Sequence, residues 1–312
     1  MENINMVNIY INGEIFIYPE QLYNTEEIKL NKIDEYNIYF ICYINKLRIT
    51  NVDNKKCTIN IIDEYTCKNY LINIKKLKLL TEYLKKNNEL IDKIENDKSN
   101  KYVLVKLKND KNPFTIKIPI YLLIMDRNFN NGIEDTFDFD ILYIGQAKGK
   151  NKKRNAIERL KKHETLQKIS FKENEKNKDL IICLFSCKNK VYTENINPSN
   201  ILSSKPLTRE ETIDIAESGL INYFKPEYNE KFKNGFFPSD KLKTHKKLFN
   251  NSYYSVLMEL DFSNYSMRFK GKNLLNSQDN FLQGMWLKEA NGKSFFVNDL
   301  IKRSQLLNNN MS

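Results

Sequence analysis

The stretch ILYIGQAKGKNKKRNAIERLKKH, residues 141–163, decides how this chain is read. It opens apolar and predicts a short strand ending at Tyr143-Ile144-Gly145. A segment without regular periodicity follows and carries Lys148, Lys150, Lys152, Lys153 and Arg154. Asn155 then has the form of a helix cap, with Glu158 three residues on as in a capping box. The spacing predicts one helix from there to about Ile169, with Arg159 and His163, four apart, projecting on the same side. A strand end, a basic loop and a helix bearing a guanidinium and an imidazole form an arrangement suited to holding a phosphodiester.

The neighbouring segments read as follows. Upstream, Phe114–Ile124 reads as a strand interrupted at Pro119, and Phe139–Tyr143 as the next one. Together they predict an antiparallel hairpin with a long polar connection. Downstream, Leu180–Phe185 is an apolar run suited to a buried central strand. Thr208-Arg-Glu-Glu211 is a second capping box, opening a helix whose apolar positions are Ile213, Ala216, Leu220 and Phe224 and which Pro226 ends. Glu217 lies against that apolar stripe. Nearer the N-terminus, alternation at Val7, Ile9 and Ile11, and again over Tyr36–Ile44 and Cys57–Ile62, predicts strands. From Ile74 to Asn96 the apolar residues recur at helical spacing. After Asn229 the chain turns basic, and Tyr253–Phe262 with Tyr265–Phe269 reads as a hairpin. These shifts divide the chain into a β-rich region 1–112 with a helix near 74–96, a central region 113–232, and a C-terminal region 233–312.

A length of 312 residues supports a sizeable core, and 41% hydrophobic with 12% aromatic residues excludes a disordered chain. Fifty basic against 39 acidic residues, net +11, favours a polyanionic partner. Five cysteines without paired spacing suggest a reducing compartment, and Cys183 with Cys187 reads as apolar filler on one strand face. No basic-then-apolar leader opens the sequence, and runs such as Ile118–Met125 are too short to span a bilayer. The expectation is a cytoplasmic protein without a membrane partner.

Tyr143-Ile144-Gly145, then Arg159-x-x-x-His163, then Glu217 in AESGLINYFKPEYN (216–229) with Pro226 and Asn229 behind it, resembles the GIY-YIG nuclease superfamily over residues 113–232. The resemblance implies an α+β fold, a small antiparallel sheet flanked by helices, bracketed here by a β-rich N-terminal and an α+β C-terminal region. It implies a metal-dependent endonuclease that hydrolyses phosphodiester bonds, in DNA ahead of RNA, with restriction-type cleavage first. The alternatives are a non-catalytic nucleic-acid-binding protein retaining the fold, or a nuclease effector of a bacterium–phage conflict system whose flanks sense or bind a protein partner. A homodimer is compatible with double-strand cutting.

Phosphodiester hydrolysis needs a base for water, positive charge on the phosphate, and usually a divalent cation. Glu217 is the candidate ligand for Mg²⁺ or Mn²⁺, since Mg²⁺ is often held by one or two carboxylates plus phosphate oxygens. Arg159 offers a bidentate fork to phosphate. His163 can donate to a phosphate oxygen or shuttle a proton. By resemblance, two tyrosines lie close together and one serves water activation: Tyr143 matches the second, and Tyr121 in Pro119-Ile120-Tyr121 is assigned as the first, with proline where the family has glycine. Asn229 is expected to orient backbone or a catalytic group, and Gly145 to let the chain turn tightly. Lys148, Lys150, Lys152, Lys153 and Arg154 are expected to track the nucleic-acid backbone.

Overall fold

The structure is a computed structural model that describes residues 4–23, 35–108, 114–126, 137–147, 155–172, 177–194, 207–233, 243–250, 253–262, 264–271, 281–288 and 294–297. The chain opens with the long strand β1 (Ile4–Ile17) and a 3₁₀ turn, then β2 (Tyr36–Asn45). Next come β3 (Leu47–Asp53), β4 (Thr58–Asp63), β5 (Asn69–Asn73), helix α1 (Lys78–Asn87), β6 (Leu90–Asn96), β7 (Tyr102–Lys108), β8 (Phe114–Pro119) and α2 (Ile120–Met125). They are followed by β9 (Phe137–Gln146), α3 (Ala156–Leu160), α4 (Glu164–Lys172), β10 (Lys178–Glu194) and α5 (Arg209–Phe224). The last elements are α6 (Lys243–Asn250), β11 (Tyr253–Asp261), β12 (Met267–Lys270), β13 (Phe281–Lys288) and β14 (Ser294–Val297).

One mixed sheet of eight strands, ordered β12-β9-β2-β10-β1-β11-β13-β14, organises the molecule, and β3-β4-β5 and β6-β7-β8 form two small antiparallel sheets beside it. This corrects the expected fold. The chain is β-rich, and its sheet is not the small antiparallel one that the resemblance implies. The physical reason lies in the flanks: β1 pairs with β10 along nearly its whole length and offers its other edge to β11 in parallel, so terminal strands extend the sheet. That sheet draws strands from all three of the consecutive regions into which the sequence divides.

The sheet must curl. β11 and β12 are five strand spacings apart, about 24 Å on a flat sheet. The six steps from Asp261 to Met267 reach about 20 Å at most, and a turn bond from Tyr265 N to Phe262 O (2.9 Å) shortens them further. Here the predicted hairpin of Tyr253–Phe262 with Tyr265–Phe269 also fails. β12 instead pairs in parallel with β9, across the curl, where Arg268 and Lys270 both pair with Asp138.

Two further local expectations differ. Of the predicted helix 74–96, only 78–87 is α-helical, after a 3₁₀ turn at Ile74–Lys76, because Asn88 takes a left-handed conformation (φ 53°) and Ile91 and Ile94 enter β6. Past Pro119 the predicted strand becomes the helix α2, carrying Tyr121. The central strand is as the sequence predicts: β10 lies between β1 and β2, with Ile181, Ile182, Cys183, Leu184 and Phe185 buried. All five cysteines are free, and Cys183 and Cys187 lie in the same core.

β2 alternates between two cores. Ile38, Phe40, Cys42 and Ile44 join the face covered by α5, whose Ile213, Ala216, Leu220 and Phe224 are buried there. Tyr39, Ile41 and Tyr43 join Ala156, Ile157 and Leu160 of α3 and Leu166 and Ile169 of α4 on the other. Among the described residues no helix is long and apolar enough to cross a membrane.

Candidate functional site

The site is built where β2 begins and β9 ends. β9 pairs antiparallel with β2, with Tyr39 opposite Gly145 and Ile41 opposite Tyr143, and a bulge falls between Ile41 and Cys42 in the pairing. On β9 the extra residue is Leu142. Phe139 and Ile141 point to one core, Leu142 to the other, and Tyr143 packs with Leu142. Without the bulge, strict alternation would send Tyr143 to the face of Phe139. The bulge thus puts Tyr143 on the face of Tyr39, as its diagonal neighbour, with rings 6.2 Å apart and stacked at 30°.

Gly145 belongs to this pairing. It lies within β9, and a Cβ placed on it would come within 2.5 Å of Tyr39 Cζ and Oη and 2.8 Å of Tyr143 Cε1. The two rings occupy the space that its side chain would take, so the expected turn role is corrected to a steric one. Gly145→Ala is expected to destabilise the fold by about 1–3 kcal/mol, the usual range for overpacking, and to splay the tyrosines. Denaturant unfolding, with tyrosine fluorescence as a local probe, checks it.

Arg159 and His163 reach the tyrosines from separate helices. The predicted single helix breaks after Leu160: Asn155 caps α3 by accepting from Glu158 N (2.9 Å), and a turn at 161–163 leads into α4. His163 Nδ1 accepts from Leu166 N (3.2 Å), so the imidazole itself caps α4. With Nδ1 so engaged, the neutral ring carries its proton on Nε2 and serves as a donor. Burial and the Arg159 charge hold its pKa down at about 4, which keeps it neutral at physiological pH. Its ring lies 4.9 Å from that of Tyr143 and 5.7 Å from that of Tyr39.

Arg159 is exposed, yet its Nε donates to Tyr39 Oη at 3.2 Å. Bonding through Nε leaves the two Nη groups for a phosphate. Tyr39 is fully buried, and burial raises its pKa well above that of a free phenol while Arg159 pulls it down. Tyr143 is half-buried. Burial and the Glu217 carboxylate raise its pKa, while Arg159 and a hydrogen bond with Tyr39 pull it down. Because Tyr39 oxygen accepts from Arg159, its own proton points the relay onward to Tyr143.

The carboxylates come from α5. Its capping box is complete, with Thr208 Oγ1 accepting from Glu211 N and Glu211 accepting from Thr208 N. The apolar positions of α5 bury against the sheet, which sets Asp214 and Glu217 on its flank beside the end of β9. Gln146, the residue after Gly145, donates from Nε2 to Glu217 Oε2 (2.7 Å) and to Asp214 Oδ1 (3.0 Å). Past the helix, Lys225 takes a left-handed conformation (φ 50°) and the chain runs along the edge of β9 that β12 leaves uncovered. There Tyr228 N donates to Leu142 O (3.0 Å). Asn229 accepts from Ile144 N (2.9 Å) and donates to Ile144 O (2.8 Å), fixing the backbone between Tyr143 and Gly145.

Tyr143, Arg159, His163, Glu217 and Asn229 therefore meet at one end of the sheet. Tyr121 does not join them. It is fully buried in α2, donates to Phe16 O at 2.7 Å and stacks edge-on with Tyr18. The tyrosine in its expected place is Tyr39. Its signal in the sequence is Asn37-Ile38-Tyr39, an Ile-Tyr pair in an alternating strand, separated from Tyr143 by the residues 46–136 between β2 and β9. Gln146 and Asp214 were also missed. Lys148, Lys150, Lys152, Lys153 and Arg154 lie outside the described residues. Compared with family models, with curated proteins and with solved structures, the chain matches none.

Proposed function

We propose that this chain is a metal-dependent endonuclease that hydrolyses phosphodiester bonds, with DNA as its substrate. The observation that carries the reading is the convergence of Tyr39, Tyr143, Arg159, His163 and Glu217, from four separate segments, at one end of the sheet. Arg159, Tyr39, Tyr143 and His163 are joined by a hydrogen bond and ring contacts, and the Glu217 carboxylate acts on Tyr143 and Arg159 through its charge.

The residues fit a hard cation. Glu217 offers a carboxylate, and Gln146 Oε1 is a buried oxygen with no hydrogen-bond partner among the described residues. Among those residues no three or more His, Cys, Asp or Glu side chains gather as a metal cage. Mg²⁺ keeps several waters and takes substrate phosphate oxygens as ligands, so one or two carboxylates suffice to hold it. When bound, Mg²⁺ or Mn²⁺ supplies charge stabilisation to the developing phosphoryl oxyanion.

The chain's own groups divide the remaining work. Arg159 holds the phosphate through its Nη groups. His163 Nε2–H donates to a phosphate oxygen. Tyr143 acts as its phenolate, which takes the proton of the attacking water and becomes the neutral phenol; Arg159 and the bond from Tyr39 favour that phenolate against burial and the Glu217 charge. Asn229 keeps Tyr143 in register through Ile144. The basic segment 148–154 adds sequence-independent affinity for the backbone.

Supercoiled plasmid incubated with the protein tests the proposal. Nicking or linearisation with Mg²⁺ or Mn²⁺, and its loss on adding EDTA, is the expected result. Intact plasmid under all three conditions would overturn it for DNA, and a parallel incubation with RNA tests the broader reading.

A further inference from the structure

Gln146 touches both carboxylates that line the candidate site, and the oxygen it offers a cation does not account for these contacts of its amide nitrogen. Asp214 and Glu217 lie three apart on α5 and face the end of β9, where two anions side by side repel. The Gln146 amide resolves this with its two N–H groups, one to each carboxylate, at 3.0 and 2.7 Å. Its oxygen is left buried without a partner among the described residues, an arrangement that costs free energy and is kept only where surrounding contacts enforce it.

The enforcement continues outward. Asp214 Oδ2 accepts from Thr244 Oγ1 of α6 at 3.1 Å. The next residue, His245, is almost fully buried, and its Nε2 lies 2.8 Å from Ser218 Oγ on α5. Ser218 Oγ is also 2.7 Å from Asp214 O, to which it donates, so the imidazole nitrogen carries the proton of the Ser218–His245 contact. Two adjacent residues of α6 thus hold α5 at Asp214 and one turn on at Ser218.

We infer that Gln146 is a positioning residue for the cation. Together with Asp214 and Thr244 it forms a clamp that fixes Oε2 of Glu217 and so sets the carboxylate for metal binding. On this reading α6, far along the chain from the motif residues, supports the metal site. The inference rests on the proposed nuclease reading for its cation, and its chain runs Thr244 Oγ1–H to Asp214, and Gln146 Nε2–H₂ to both Asp214 and Glu217.

The experiment measures Mn²⁺ binding to the full chain by electron paramagnetic resonance, alongside the Mg²⁺ dependence of plasmid cleavage. The variant Gln146→Met keeps length and volume but removes both donors together with the amide oxygen, whereas Thr244→Val loosens the clamp with that oxygen in place. Loss of an outer partner of a metal ligand costs about 10–100-fold in metal affinity, so its Mn²⁺ dissociation constant and half-saturating Mg²⁺ are expected to rise by that factor. DNA binding in EDTA should be unchanged, and excess Mg²⁺ should recover part of the rate. Thr244→Val, which keeps the branched shape, should shift both readouts in the same direction by less, and it tests the clamp if Gln146→Met does not fold. Wild-type Mn²⁺ affinity in Gln146→Met, or in Thr244→Val should the first not fold, overturns the clamp. A wild-type chain that binds Mn²⁺ but cuts nothing overturns the nuclease reading and leaves the clamp standing, whereas one that binds no Mn²⁺ overturns both.

Discussion

Glu217→Gln is expected to lower plasmid cleavage at saturating Mg²⁺ by about a thousandfold. Metal stabilisation of a phosphoryl oxygen contributes several kcal/mol, and each ~1.36 kcal/mol is about tenfold in rate. The substitution is chosen because the local structure tolerates it. A glutamine carbonyl can still accept from Gln146 Nε2, the bond that Glu217 Oε2 makes now at 2.7 Å. α5 keeps its cap and its buried face, so the thermal midpoint should stay close to wild type. What the variant loses is a charge, and with it the ligand for the cation. It also relieves Tyr143 of the carboxylate that raises its pKa, so any residual activity should extend to lower pH. Binding of DNA in EDTA should persist, since Arg159 and the basic segment are untouched. Cleavage at the wild-type rate would sink the mechanism, and the chain would then be read as a nucleic-acid-binding protein without this chemistry.

The second large effect separates two tyrosines. Tyr39→Phe is expected to cost about 10²–10⁴ in cleavage rate, the range for loss of positioned proton transfer, because it cuts the hydrogen-bonded step between Arg159 Nε and Tyr143. Tyr143→Phe should cost at least as much. Tyr121→Phe should leave the rate within a few-fold and instead destabilise the fold by roughly 1–3 kcal/mol, since Phe16 O would lose a buried donor. Single-turnover cleavage and chemical denaturation, run on all three variants, read the two effects apart. A Tyr121→Phe protein that folds normally but no longer cuts, beside an active Tyr39→Phe, would reverse the assignment.

Local signals carried well. The Thr208–Glu211 box opens α5, Asn155 caps α3, and the apolar run 180–185 is the central strand, because capping and burial patterns are decided within a few residues of chain. The motif spacing also located Tyr143, Arg159, His163, Glu217 and Asn229, and these do come together. Where local pattern and context competed, context won. Ile91 and Ile94 fit a helical period but pair in β6, and the 155–169 helix breaks so that His163 can cap its second half.

Strand partnership was not legible. A strand's sequence gives its two faces, not the strand that will lie beside it, and between β2 and β9 the chain places β3 to β8, α1 and α2. The Pro119-Ile120-Tyr121 pattern therefore favoured Tyr121, whereas the sheet brings Tyr39 beside Tyr143. The same holds for Gly145, whose need to lack a side chain exists only because Tyr39 crosses it, and for Gln146, whose two carboxylate partners arrive from α5. By itself the sequence determined which side chains on β9, α3 and α5 are the candidates for that chemistry. The curled eight-stranded sheet decided which tyrosine completes them, through the pairing of distant strands, and how the carboxylates are held, through the docking of helices on its ends.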